Sequence, residues 1–329
     1  MGGNFMGQPF HRRSLAAAAA MIGAAPAAAQ APFPSRPVTI IVPFAPGGLA
    51  DILARLVADK LRASLGVAVV VENRPGAGGI AGARAVATAA PDGHTLLLAN
   101  TNLAINPSLY RSLPYDTQAA FAPVILAITL PNILVVRADM PARSLGELIA
   151  LAREAPGRLN YASAGAGTFP HLAMALFLQR AGIDVAHIPF NGAAPAMAAI
   201  LARQVELLAS DPPGAIPQIT AGTLRPLAVT SSARLAVLPD VPSAAEAGLP
   251  GFEALGWQGF VAPAGTPEPV IRSLNAAIAA ALAAPDLRER LLSQGVTFTP
   301  GSPGDFAAFL RQDMERWRGA VAASGARVE

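Results

Sequence analysis

From residue 36 onward, short runs rich in β-branched residues alternate with longer stretches at helical spacing. That alternation limits the fold of this 329-residue chain more than any other feature. "VTIIVPF" (38–44), "VAVVVEN" (67–73) and "HTLLLAN" (94–100) read as strands. Between the first two, Leu49, Ile52, Leu53, Leu56, Val57 and Leu61 recur with helical period, and Gly66 suits the helix end. After "RPGAGG" a helix is expected from about Ile80 to Ala90, followed by the turn "PDG". The order β-α-β-α-β points to a mostly parallel sheet covered by helices on both faces.

A second series follows "LPNILVV". Ser144 with Glu147 three residues on is a capping-box signature for the helix in "SLGELIALAREAPG". "LNYASA" reads as a strand, and "GAGTFPHLAMALFLQRAG" as a glycine loop entering a helix. "DVAHIPF", the helix "PAMAAILARQ", and the strands "VELLAS" and "LRPLAVTS" complete the series. "GWQGFVAPAG" is again extended, and the remainder is helical, with Ser302 and Asp305 able to start the last helix. Two α/β lobes are expected, residues 32–130 with 257–329 and residues 131–256. Two extended crossings, near residues 131 and 256, would permit hinge closure around a ligand.

Residues 1–31 differ in kind. Arg12 and Arg13, a short apolar stretch and small residues fitting an A-x-A site make a secretory signal, with cleavage after Ala29 or Ala31 fitting equally well. The arginine pair loosely resembles a twin-arginine signal, but the general secretory route is the preferred reading. Removing this segment and its two arginines takes the formal charge from +3 to +1. Lys60 is the sole lysine, so the basicity comes almost wholly from arginine and forms no basic stripe of the kind that binds nucleic acid. No cysteine is present, which removes disulfides and thiolate metal sites. No apolar run after residue 31 reaches the ~18 residues of a membrane span.

The chemistry sits at the strand-to-helix junctions. "PFAPGGLADILAR" crosses a glycine pair into a helix, and "SAGAGTF" does the same in the second series. The first turn of a helix carries N–H groups without internal partners and a partial positive charge. Glycines let an anion approach that backbone, so a carboxylate can be held without a cationic side chain. Gly47 and Gly48 would supply one such nest, and Ser163, Gly165, Gly167 and Thr168 the other. Charge-assisted hydrogen bonds contribute roughly 1.5–3 kcal/mol each, and a micromolar complex needs about 8 kcal/mol. Four or five bonds shared between lobes would suffice.

Other chemistries match poorly. No Gly-Lys-Ser/Thr phosphate loop occurs, and "GAGGIAG" lacks the acid that would close a dinucleotide site. Ser163 lies in "YASAG", not in a Gly-x-Ser-x-Gly elbow, and His94, His171 and His187 lack metal-ligand spacing. Neither a metal nor a cofactor is expected. His171, in the first turn after the second loop, would either donate to a bound carboxylate or hold the loop. Asp51 fits the positive helix start, and would face an anionic ligand only across a water or an ammonium group. Asn73 and Arg74 would brace the loops of this lobe. Asn100, Thr101 and Asn102 follow a strand end, where a parallel sheet presents ligand contacts.

These strings, with "VENRPGAGGIAGARAVATAAPDGHTLLLAN", "LRPLAVTSSARLAVLPDVPSAAEAGLPGFEALGWQGFVAPAGTP" and "LNAAIAAAL", resemble the solute-binding receptors of tripartite tricarboxylate transporters, the Bug receptors, over the chain from about residue 33. The resemblance implies a two-lobe periplasmic binding protein fold (type II-like) that closes on small organic acids. It points to Phe44, Ala45, Gly47 and Gly48 in the first lobe, and Ser163, Gly165, Gly167 and Thr168 in the second. Departures fall on the second lobe's ligand side: Ala175 stands where the family often has Glu, and Asn191-Gly192 where it has Lys-Gly. In "QVELLASD", Asp211 takes up the acid one place along. Asn191 and Asp211 are therefore candidate ligand residues.

The reading is an exported, monomeric receptor that takes a small organic carboxylate to membrane permease subunits. Two alternatives remain: a sensor of the same fold docking on a signalling partner, and an exported hydrolase using Ser163 with His171.

Overall fold

The computed structural model describes residues 1–4 and 33–328. The expected export segment falls largely on residues outside these. The described chain from Phe33 onward forms one compact unit. It begins with β1 (Val38–Val42), α1 (Leu49–Leu65), β2 (Val69–Asn73), α2 (Ile80–Ala87), β3 (Thr95–Asn100), α3 (Asn102–Leu109) and β4 (Phe121–Pro131). The second series is β5 (Ile133–Arg137), α4 (Leu145–Glu154), β6 (Asn160–Ser163), α5 (Phe169–Ala181), β7 (Ala186–Pro189), α6 (Ala193–Leu201), β8 (Leu207–Ser210), α7 (Pro212–Thr220) and β9 (Leu224–Val229). The chain then returns as β10 (Leu255–Pro263), α8 (Glu268–Ala283), α9 (Pro285–Leu292), β11 (Thr297–Phe298) and α10 (Pro303–Ser324).

One sheet has the order β11-β4-β10-β3-β1-β2 and the other β7-β6-β8-β5-β9. Each centres a lobe flanked by helices. The sheets are mixed, where a mostly parallel arrangement was expected. β1 runs parallel to β2 and β3, but β10 is antiparallel to both β3 and β4. In the second sheet β6 is parallel to β7 and β8, whereas β5 is antiparallel to β8 and β9. The reason is connectivity. β4 carries the chain out of the first sheet and β10 carries it back, so these neighbours must run in opposite directions; β5 and β9 stand in the same relation.

The apolar periods account for the layers. Leu53, Ala54, Val57, Ala58 and Leu61 of α1 are fully buried against Val38, Ile40 and Val42 of β1. Removing such side chains from water contributes roughly 1.5–3 kcal/mol for each large residue. Ser302 and Asp305 form the reciprocal capping box that starts α10, and Ser144 caps α4 by accepting from Glu147 N–H. Among the described residues no single helix is long and apolar enough to cross a membrane.

Where the chain passes between sheets it is stitched by hydrogen bonds. Asn132 N–H donates to Thr230 Oγ1 at 2.8 Å, and Thr230 Oγ1 donates to the Ala254 carbonyl at 2.6 Å. The backbones of Asn132 and Ala254 each pair with Thr230 as well. Thr230 thus ties the outgoing strand to the returning one. A second connection is apolar: Phe169 of α5 meets Trp317 of α10 edge to face, with ring centroids 5.7 Å apart.

Trp317 also donates to Asp313 Oδ2, as does the indole of Trp257 on β10, at 2.9 and 2.7 Å. Asp313 is 2% exposed, and burial lifts its carboxyl from 3.8 to about 6 against the opposing effect of the Trp257 and Trp317 indoles and Arg316. A raised carboxyl favours the neutral form in the fold. Its contribution is full below the ordinary carboxylate range and is lost as pH rises through about 6. Asp313→Asn keeps an oxygen for both indoles but does not ionise. Between about pH 4 and pH 7, its stability relative to the unsubstituted chain should rise by roughly 2–3 kcal/mol, measured by denaturant unfolding. A pH-independent difference would contradict this assignment.

Candidate functional site

A cavity of about 470 Å³ lies between the lobes, lined by residues from both sheets' strand ends and from five helix starts. Gly48 and Leu49 begin α1, Thr101 and Asn102 begin α3, and Thr168, Phe169 and Pro170 begin α5. Ala193 opens α6, while Asp211, Pro213 and Gly214 open α7. Leu130, Leu208, Trp257 and Gln258 are also among the lining residues. No lysine or arginine is among the lining residues, and Asp211 is the one ionisable side chain there. Helix starts therefore bring partial positive charge to this space, and Asp211 is the one acid that stands against it.

Amides stand ready at three of these starts. Among the described residues the N–H groups of Leu49 and Ala50 in α1, Phe169 in α5, and Ala193 and Ala194 in α6 have no protein acceptor. At α3 the start is already capped, since Asn102 N–H donates to Asn100 Oδ1. α7 offers no such donors in its first two positions, which are Pro212 and Pro213.

The first-lobe loop is held from beneath. Asp51 Oδ2 accepts from Gly47 N–H and from Arg55 Nε, both at 3.0 Å, and Asp51 Oδ1 accepts from Asn73 Nδ2. Asn73 Nδ2 also donates to the Phe44 carbonyl. The Arg55 hydrogen bond, with help from Gly47 and Asn73, holds the Asp51 carboxyl down at about 2. Asp51 is thus an ionised brace, 5% exposed and outside the cavity lining, and the Gly47 amide expected to be open is occupied by it. Gly47 itself turns the loop at φ +91°. Asn73 braces the loop as expected; Arg74 is half exposed and pairs with Glu72.

The second-lobe loop is organised by aromatic stacking. His171 and His187 stack with centroids 4.0 Å apart, and Tyr161 stacks on His187 at 4.8 Å. His171 Nδ1 accepts from Gly167 N–H at 2.9 Å, so it holds the loop, and the Gly167 amide is occupied. Burial, then the neighbouring His187, lowers the His171 imidazole to about 4, which keeps it neutral as that hydrogen bond requires. Ser163 is fully buried; its Oγ lies 2.7 Å from His187 Nε2 and accepts from Gly165 N–H. The serine–histidine pairing expected for a hydrolase therefore falls on His187 instead of His171, beneath the loop and away from the cavity lining.

Of the fourteen residues named from sequence, Phe44, Gly48, Asn100, Thr101, Thr168 and Asp211 line the cavity. Ala45 and Asn191 are exposed beside it, and Gly165 turns the second loop at φ +135°. Asp51, Ser163, Gly167 and His171 lie beneath, shaping the loops, and Gly47 is exposed with its amide held by Asp51. Gly256, Trp257 and Gln258 of β10 were not foreseen as lining. The extended "GWQGF" beside the crossing was the available signal. Among the described residues no group of three His, Cys, Asp or Glu side chains is placed to hold a metal.

Gly167 meets the other lobe. At φ +74° its missing Cβ would overlap the side chain of Leu109 on α3, so glycine here permits close contact between lobes, not approach of a ligand. Gly167→Val should cost more than about 1 kcal/mol of stability in denaturant unfolding, with part recovered in a double variant that also carries Leu109→Ala. Unchanged stability of the single variant would contradict this contact.

Residues 53–325 match the model of the tripartite tricarboxylate transporter family receptor. The UPF0065 protein in the tcbD-tcbE intergenic region of Pseudomonas sp. (strain P51) is 45% identical over 287 residues, covering 87% of this chain and 85% of that protein. Among solved structures, R. palustris Rpa4515 with adipate is 35% identical with a TM-score of 0.81, covering 90% of this chain and 100% of that one. MatC (Rpa3494) from Rhodopseudomonas palustris with bound malate is 36% identical with a TM-score of 0.77, covering 88% and 100%. The motif resemblance, the two-lobe fold and a match over most of the length agree: this chain belongs to the tripartite tricarboxylate transporter receptor family.

Proposed function

We propose that this protein is a periplasmic receptor that captures a small organic carboxylate in the cavity between its lobes and delivers it to the membrane permease subunits of a tripartite transporter. The observation that carries the reading is the convergence of open helix-start amides from α1, α5 and α6 on a cavity lined by no cationic side chain. An anion there gains charge-assisted hydrogen bonds from both lobes at once, so binding and closure reinforce one another. The adipate and malate bound by the two related structures support carboxylates as the ligand class. Export by the leader, cleaved near Ala29 or Ala31, fits delivery at the outer face of the inner membrane.

Calorimetry of the mature chain against mono-, di- and tricarboxylates tests this. At least one should bind with a dissociation constant near micromolar or tighter, about −8 kcal/mol, and its methyl ester, which lacks the charge, should not. Failure of every carboxylate to bind would overturn the reading.

A further inference from the structure

Asp211 is the feature of the cavity that a plain carboxylate site does not explain. It lies deep between the lobes, with part of its surface open to the cavity, and stands at the start of α7 without capping that helix. Its side chain has one protein partner: Oδ1 accepts from Asn132 Nδ2 at 2.8 Å. The two residues that follow are prolines without an N–H, and the next capping donor, Gly214 N–H, goes to the Asp211 carbonyl and not to its carboxylate. No lysine or arginine lines the cavity to pair with it. Burial accordingly raises the Asp211 carboxyl above its ordinary value, against the opposing Asn132 hydrogen bond.

Gln258 also lines the cavity, but its Oε1 is fully buried and closed to a ligand, which leaves Asp211 as the one carboxylate acceptor in the lining. The cavity is therefore bipolar: amide donors stand at the starts of α1, α5 and α6, and an acid without a cation stands at α7. A second carboxylate placed against Asp211 would meet like charge in a poorly hydrated space. A protonated nitrogen would meet an acceptor already positioned for it.

On the reading that this cavity binds a carboxylate, we infer that Asp211 forms a subsite for a protonated amine, so that the favoured ligand carries both a carboxylate and an ammonium group. The carboxylate lies at the open amides and the ammonium lies on Asp211. Asn132, which holds Asp211, is also the residue at which the chain crosses between lobes, so an ammonium seated there engages the crossing directly.

Matched acids separate this inference from the reading beneath it. Calorimetry with aspartate against succinate, glutamate against glutarate, and 4-aminobutyrate against butyrate compares each amine with its amine-free counterpart at neutral pH. At least one amine should bind about tenfold or more tightly than its counterpart. Asp211→Asn, which keeps an oxygen for Asn132 Nδ2, should abolish that preference and, by removing the like charge, tighten binding of the amine-free dicarboxylates; circular dichroism and unfolding confirm that the variant folds. Preference for the amine-free acids in the unsubstituted chain would overturn the inference and leave carboxylate capture intact. So would an amine preference that Asp211→Asn does not change. Tightening of dicarboxylate binding about tenfold for each unit fall in pH, with one proton taken up, would also overturn it, because Asp211 would then be a neutral donor. No binding by any acid would remove both readings.

Discussion

An anion taken from water into a narrow cavity must find its hydrogen bonds there, and in this protein no cationic side chain among the lining residues provides them. That constraint governs the rest of the design. Helix starts are the available source of unpaired donors, and they must be brought to one point from two lobes. Parallel β-α units do this by geometry, because each strand delivers its following helix with the N-terminus at the same edge of the sheet. The loops between strand and helix are then fastened from below, by Asp51 and Asn73 in one lobe and by His171 and Ser163 in the other. These polar groups spend their hydrogen bonds on the loop backbone, and the amides of the helix starts remain free.

The connections between lobes follow a similar division. Thr230 binds the outgoing and returning crossings to each other, while Phe169, Trp317 and Leu109 make the apolar contact between α5 and the first lobe. Trp257 belongs to both systems: it is among the cavity-lining residues, its indole N–H is fixed by Asp313, and its backbone N–H donates to Thr101 Oγ1 at 2.8 Å. The cavity wall is thus continuous with the packing that joins the two lobes.

Much of this was legible in the sequence. The β-branched runs, the helical period of Leu53, Val57 and Leu61, and the glycine junctions at Gly47–Gly48 and Gly165–Gly167 are local signals with local causes. What escaped was non-local or disguised. No helix was expected between the strands "VELLAS" and "LRPLAVTS", yet Pro212 and Pro213 occupy the first turn of α7, where a missing N–H costs nothing, and the helix forms. α3 was hidden by Asn102, Asn106 and Pro107. Which amides are free was also illegible. Gly47 and Gly167 donate to side chains four residues on, Asp51 and His171, so the open donors move forward into the helices. The mixed character of the sheets comes from the path between lobes, which no single segment encodes.

The central claim is that backbone amides, not side-chain cations, meet the ligand's charge. Amide proton and nitrogen chemical shifts followed during titration with a bound carboxylate test it most directly. The account predicts large, saturable downfield proton shifts at Leu49, Ala50, Phe169, Ala193 and Ala194. Unmoved amides at these helix starts, with the perturbation centred on arginine side chains instead, would contradict it.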